Sequence, residues 1–565
     1  MLPFKSLFAE ILSSQIPELS IQEIIDLIEV PPYGLWVDLA FPCFALAKSR
    51  GQSPIQISQS LITDNTQENI DIISAGPYIN ISFDPHFVQK ILSEQTIQIT
   101  KKDLVLIESP SPNTNKPLHL GHVRNMVLAN VLSRSMKKEG YDIKKVEVVN
   151  DRGIHICKSM LAYSLRGNNA QPNKKSDHYV GDRYVRYASE EEKNPDIKIQ
   201  AQDMLRDREA GDPQVRALWE KMNARAIQGI RETYSRYKTH IDEATLESDV
   251  YKDGKYIAEQ GLKKGVFVRD PKGNIALPLP INEDELSYFV VLRSDGTALY
   301  STQDLALVDK RFKSYKMDKM VYVVGNEQDD YFKALFKCFQ WLDYPFANQC
   351  HHLSYGMIEL PNGKMKSRTG NVIDADNLIE DLHNLAFQEI TKRYPELPDT
   401  IAHQRAELIA LGAINFFMIK IDASKGFIFD PAESLSFEGE TGPYIQYTYA
   451  RIWSIINKAE VMAKDDNQIW VNQQKEELQD IKHILFHISS YYETISKVNT
   501  EYKPHILARY ILDLCQIINS FYQKYHIINP DNIALTKSRV AILEHTQDIL
   551  WDGMDILWVA RIDVM

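Results

Sequence analysis

Two histidines three residues apart, His119 and His122, flank Gly121 in the stretch "SPNTNKPLHLGHVRN" (111–125), with Lys116 just upstream. A loop that leaves a buried strand and enters a helix gathers free backbone N–H groups and the positive end of the helix dipole at one point, where phosphate binds. Imidazoles at i and i+3 lie on one side of the first helical turn, so both can donate to phosphoryl oxygens. Glycine has no Cβ, so a flat ring can approach the backbone beside them. Far downstream, "GKMKSRTGN" (363–371) supplies Lys364, Lys366 and Arg368 on a glycine-flanked polar loop.

Positioning these groups falls to the elements around them. "DLVLIES" (103–109) is a short apolar run of buried-strand type. After a proline-rich loop, "HVRNMVLANVLSRSMKKEG" carries Val123, Met126, Val127 and Val131 at helical spacing, with Gly140 as its stop. "KKVEVVN" (144–150) is the next strand. Strand, loop, helix, strand is one turn of a doubly wound parallel sheet, so the fold class is α/β, Rossmann-like. "MVYVVGNEQ" (320–328) resumes the sheet, which implies an insertion at about 165–285. Residues 1–100, around "GPYINISF" (76–83), read as a separate α+β unit. Helical patterns at 405–421, 443–463, 478–499, 505–526 and 537–558 predict a C-terminal all-helical bundle. The division expected is 1–100, 101–430 and 431–565.

Composition narrows the class. The 565 residues are 44% hydrophobic and 25% charged, an ordinary globular mix, and no apolar run approaches the roughly 18 residues a bilayer span needs. The formal charge of −12 argues against a DNA-coating protein, though not against a local basic groove. The five cysteines never form CxxC, which disfavours a disulfide framework or a structural zinc site and fits a reducing cytoplasm.

Together, HLGH and KMKSR resemble the HIGH and KMSKS signatures of class I aminoacyl-tRNA synthetases. The resemblance implies ATP, with Mg2+, held between them by His119, Gly121, His122, Lys364, Lys366 and Arg368. An amino-acid carboxylate would attack the α-phosphorus and pyrophosphate would leave. Such a reaction needs no protein nucleophile; placed cations and N–H donors stabilise the charge that develops. Ser367 stands where KMSKS has its second lysine. In the arginyl branch such a loss commonly accompanies a lysine just before the first signature, and Lys116 occupies that place. Lys366 and Arg368 are the other candidates for the missing charge.

The similarity to arginyl-tRNA synthetases runs through "ESPSPNTNKPLHLGHVRN", "LYSTQDLAL", "VVGNEQDDYF" and "SYGMIELPNGKMKSRTGNVI". It implies that Glu108 and Asp304 grip the polar ends of arginine, Asp304 the guanidinium, while Asn113, Tyr300 and Gln328 orient the rest. The backbone around Tyr355, Gly356 and Met357 would hold adenine. Tyr331 stands where the family often has His, and it is assigned no role. Tyr78 and Asn80 would reach an unstacked base of the tRNA D-loop, and Tyr444 and Gln446 would face the anticodon. The implied partners are tRNA(Arg), L-arginine and ATP, without DNA, membrane or zinc, for a cytoplasmic monomer whose arginine activation requires bound tRNA. The alternatives are a class I synthetase for cysteine or glutamate and a non-catalytic RNA-binding derivative. Zinc-ligand cysteines and a cationic pocket, which the first two would need, are not seen. Intact Lys116, His119, His122 and Lys364 speak against the third.

Overall fold

The computed structural model describes the chain except for residues 1, 32–36, 62–68, 95–100, 168–173, 192, 195, 281–285, 360–372, 461–474 and 564–565. At the N-terminus, helices pack against a small antiparallel sheet of Leu39–Pro42, Tyr78–Phe83 and Ile70–Ala75, in that order. The alternation along Tyr78–Phe83 sends Ile79, Ile81 and Phe83 into the core.

The central sheet has five strands: β1 (Leu104–Glu108), β2 (Asp142–Val149), β3 (Glu243–Leu246), β4 (Lys319–Gly325) and β5 (Cys350–Tyr355). Their order is β5-β4-β1-β2-β3, every pairing parallel, which is the 3-2-1-4-5 order of a doubly wound nucleotide-binding sheet. The chain reverses direction of winding between β1 and β4, and ligands of such sheets bind at the carboxyl ends of the strands there. Helix α1 (Leu120–Glu139) leaves β1 and ends at Gly140, whose φ of 100° only glycine adopts without strain.

The excursion from the sheet is two pieces, not one. Between β2 and β3 four helices form their own small core, among them α2 (Ser176–Glu191) and α3 (Pro213–Arg236). The chain then returns to the main sheet as β3, inside the span expected to be an insertion, before a separate three-stranded sheet, Val268–Arg269, Ile275–Pro280 and Leu286–Leu292. "EATL" is too short to stand out as a strand and becomes one by pairing with β2.

Helix α4 (Tyr300–Tyr315) leads into β4; beyond β5 come α5 (Ala375–Arg393) and α6 (Asp399–Ile419). The C-terminal bundle contains α7 (Gly442–Glu460) and the helices Lys475–Ser489, Tyr491–Glu501, His505–Lys524 and Ile533–Leu557. The expected single helix at 478–499 is two, parted at Ser490. Among the described residues no helix is long and apolar enough to cross a membrane.

Candidate active site

The loop from β1 to α1 is pinned to the end of β2. The Asn150 N–H donates to the Pro112 carbonyl (3.1 Å), the Asn150 amide to the Ser111 carbonyl (2.9 Å), and the Thr114 N–H to the Asn150 carbonyl (3.2 Å). His119 caps α1: its Nδ1 accepts from the Gly121 N–H (3.2 Å), while the His119 N–H donates to His122 Nδ1 (3.1 Å). The two ring centroids are 3.9 Å apart. Both Nδ1 lone pairs being used, each neutral ring carries its proton on Nε2 and offers one outward donor. Burial, reinforced by Lys116, pushes His119 down to about 3, and burial with the neighbouring charges pushes His122 well below its usual range. The pair is therefore neutral at any working pH. Gly121 serves a purpose the sequence did not disclose: a Cβ there would lie 3.1 Å from His119 Cε1, so glycine makes room for the folded-back ring.

Lys116 and His119 line one cavity of about 160 Å³, with His178, Asp182, Tyr184 and Asp374. Burial lowers the Lys116 ammonium from its ordinary value. Lys364, Lys366 and Arg368 lie outside the described residues, but both flanks of 360–372 rest on the first signature. Downstream, the Leu120 N–H donates to the Ile373 carbonyl (3.1 Å) and the Ala375 N–H to the Leu118 carbonyl (3.0 Å). Upstream, Arg124, fully buried in α1, donates to the Gly356 and Asp422 carbonyls. Gly356, expected to offer its backbone to adenine, spends it on packing. Its N–H donates to Ala423 (2.8 Å), its carbonyl accepts from Arg124, and a Cβ would fall 2.4 Å from the Gly426 nitrogen. Met357 beside it is 46% exposed.

At the end of β1, buried Glu108 accepts from the fully buried Arg311 of α4 and from the Ser111 hydroxyl (3.3 Å). On the same helix the Asp304 carboxylate accepts from the Tyr331 hydroxyl. Burial and the Glu108 charge lift Asp304 to about 7, against the opposing pull of Tyr331 and Arg311. The two acids expected to grip one substrate are thus electrostatic neighbours. Arg311 already balances Glu108, which leaves Asp304 as the acid whose charge a bound cation would complete. Tyr300 (62% exposed), Asn113 and Gln328 all carry exposed surface around this part of the sheet.

Of the residues expected to meet RNA, Gln446 is corrected. Asn80 lies on the central strand of its sheet, on the same face as Tyr78 and opposite Ile79 and Ile81; it is 9% exposed, and Tyr78, edge-on to the exposed Phe44, retains more surface. Gln446 is fully buried: its amide donates to the Leu408 (3.1 Å) and Ala560 (2.8 Å) carbonyls, tying α6 to the C-terminal segment. Tyr444 is half-buried and accepts from Asn519 (3.0 Å). Sequence reasoning missed Arg124, Arg311 and Asn125, and left Tyr331 without a role. Asn125 donates to the Val323 carbonyl of β4 and accepts from Ser109 (2.6 Å) after β1, bridging the switch point. Polar residues interrupting the apolar faces of α1 and α4 were the available signal. Among the described residues one group of metal-type donors converges, Asp177, His178 and Asp376; the Lys175 ammonium already stands there, 2.6 Å from Asp376.

A parallel sheet of this order, with an HLGH turn leaving its switch point, defines the catalytic domain of a class I aminoacyl-tRNA synthetase. The model for class I (R) tRNA synthetase catalytic domains matches residues 87–431, that for the arginyl-tRNA synthetase N-terminal domain residues 4–83, and that for the DALR anticodon-binding domain residues 445–565. Arginine–tRNA ligase of Treponema denticola is 38% identical over 95% of this chain and 94% of its own. That of Borreliella burgdorferi is 38% identical over 92% and 91%. The solved arginyl-tRNA synthetase of Thermus thermophilus superposes with a TM-score of 0.80 at 23% identity, covering 99% of this chain and all of that one, a likeness of fold. The chain belongs to the arginyl-tRNA synthetase family.

Proposed function

We propose that the chain joins L-arginine to tRNA(Arg) in two steps at the crevice between β1 and β4, with the residues below in named roles. As a member of its family it is an arginine–tRNA ligase: ATP and arginine give arginyl-adenylate and pyrophosphate, and the 3′-terminal adenosine of the tRNA then takes the arginyl group. ATP enters with Mg2+ on its phosphates. The neutral Nε2–H donors of His119 and His122, aided by the α1 dipole, meet its phosphoryl oxygens, and Lys116, Lys364, Lys366 and Arg368 supply positive charge as pyrophosphate departs. Asp304 receives the guanidinium; Glu108, Asn113, Tyr300 and Gln328 orient the rest of arginine. Met357 borders adenine. Tyr78 and Tyr444 offer aromatic surface to tRNA. We place the protein in the cytoplasm as a monomer; all five cysteines are free thiols.

The observation that carries this reading is the closely paired imidazoles at the N-terminus of α1, reached by one short loop from the strand that ends in Glu108. ATP–pyrophosphate exchange with each amino acid, with and without tRNA, tests it. Exchange with arginine alone, and only in the presence of tRNA, is expected; exchange with any other amino acid refutes the arginine assignment. In the same assay Lys116→Ala lowers the rate by about 2–4 kcal/mol of barrier, the cost of one charge-stabilising donor. An unchanged rate would transfer the missing lysine's role to Lys366 or Arg368.

A further inference from the structure

We propose that Lys175 and His178, at the start of α2 in the insertion, are positioning residues for adenylate formation: they grip Asp374 and Asp376 and thereby fix the His119 turn. The inference rests on reading that turn as the ATP site. Lys175 Nζ lies 2.6 Å from Asp376 Oδ2 and 3.1 Å from Asp177 Oδ2, and donates to Thr233 on α3. His178 Nε2 lies 3.0 Å from Asp376 Oδ2 and 3.4 Å from Asp374 Oδ2. Thr233 adds a hydroxyl to both Asp376 oxygens (3.1 and 3.2 Å). The gripped segment is the one that pairs with the catalytic turn. Asp374 forms an antiparallel bridge with His119, and the bonds Leu120 N–H to Ile373 and Ala375 N–H to Leu118 bracket it.

One glycine lets the inserted helices press onto this region, and a second lets them pack on each other. A Cβ at Gly181 of α2 would fall 2.6 Å from Pro117 Cδ, and one at Gly229 of α3 would fall 2.3 Å from Asp177 Oδ1. Backbone contact at Lys116–Pro117 and ion pairs at Asp374–Asp376 thus hold the turn from both sides of its cavity. Although burial opposes it, His178 and Lys175 keep the Asp376 carboxyl down at about 2, so it is ionised throughout. The hydrogen bond to Asp376 raises His178 above its ordinary value, with Asp374 and Asp177 adding to it. Facing His178 are therefore Asp177, Asp374 and Asp376, with Lys175 beside them, Asp182 one turn along its own helix, and Lys116 and His119 lining the same cavity. A group whose folded pKa is raised gives its full contribution below its unfolded value and loses it as pH rises through the folded one.

Full-length His178→Ala, His178→Lys and Lys175→Met proteins in tRNA-dependent ATP–pyrophosphate exchange test this. His178→Ala and Lys175→Met are expected to lower the exchange rate about tenfold or more, while the KM for arginine and the Kd for tRNA stay within about twofold. The native rate falls as pH rises through the His178 titration; His178→Ala lacks that limb, and His178→Lys restores the rate without it. A His178→Ala protein with native rate and native pH profile overturns the proposal. So does one whose rate, arginine KM and Tm decline together while the pH limb persists, since that is a general loss of folding. His119→Ala separates the parent reading: if it leaves exchange intact, the turn is not the ATP site, whatever His178 does.

Discussion

Asp304 is set between a phenol that stabilises its charge and a second acid that opposes it, in a site where burial disfavours ionisation altogether. With Asp304 as the guanidinium partner proposed above, its value of about 7 makes arginine binding a proton-linked event. A guanidinium binds the ionised carboxylate, so affinity is complete above about 7 and falls as pH drops through that value, up to about tenfold per pH unit. Measured KM for arginine is expected to rise on that acid limb while KM for ATP stays level. Tyr331→Phe removes a donor that favours the charged form and moves the limb to higher pH. Asp304→Asn abolishes it and raises the arginine KM far more than that for ATP; equal effects on both would count against Asp304 as the guanidinium partner. The imidazole pair behaves oppositely. His119, near 3, contributes no titration in this range, and its chemistry is that of a fixed neutral donor.

Helix α1 shows how an element's surroundings exceed its pattern. Its sequence advertises one apolar stripe, yet Arg124, Asn125, Asn130, Ser133 and Ser135 are buried as well. The parallel sheet covers one side, and α6 with the helices Tyr491–Glu501 and Ile533–Leu557 covers the other. Each buried polar group then needs a partner: Arg124 finds carbonyls, and Asn130 finds Thr239 (3.1 Å). Gln446 belongs to the same pattern at the crossing of α6 and α7, where Gly412 and Gly442 allow backbones to touch; a Cβ on Gly442 would fall 2.2 Å from the Gly412 carbonyl. Gln446→Ala is expected to cost about 2–4 kcal/mol by orphaning two carbonyls and opening a cavity, read by urea denaturation. The tRNA affinity of the folded variant should not change; a large loss of tRNA binding with native stability would restore Gln446 to the RNA surface.

Across the molecule, the C-terminal bundle serves as the floor of the catalytic domain and the seat of the N-terminal unit. Lys138 pairs with Asp552 (2.8 Å), and the Arg134 guanidinium lies 3.4 Å over the Trp558 ring. On the far side Asp38 and Lys482 form a pair 2.8 Å apart with side chains 7% exposed, beside the contact of Phe4 with Phe486. Lys482→Met leaves a buried carboxylate unpaired and should destabilise the docked N-terminal unit by about 3–5 kcal/mol, whereas Asp38→Asn with Lys482→Met recovers most of the loss. Denaturant unfolding of the three proteins decides this; additive losses would show the two side chains to be independent. The strands β1, β2 and β4, helix α1 with its Gly140 stop, and the helical C-terminus were legible because apolar periodicity and glycine punctuation are local properties of the chain. Short motifs likewise singled out His119, His122, Lys116, Glu108 and Asp304 as candidates. What local pattern does not contain is the identity of each group's neighbour. Only folding pairs Glu108 with Arg311, Asp304 with Tyr331 and His178 with Asp374 and Asp376, and turns Gln446 and Gly356 inward. These pairings join residues remote along the chain, and burial and ion pairing are fixed by whichever surfaces meet when the domains close on one another.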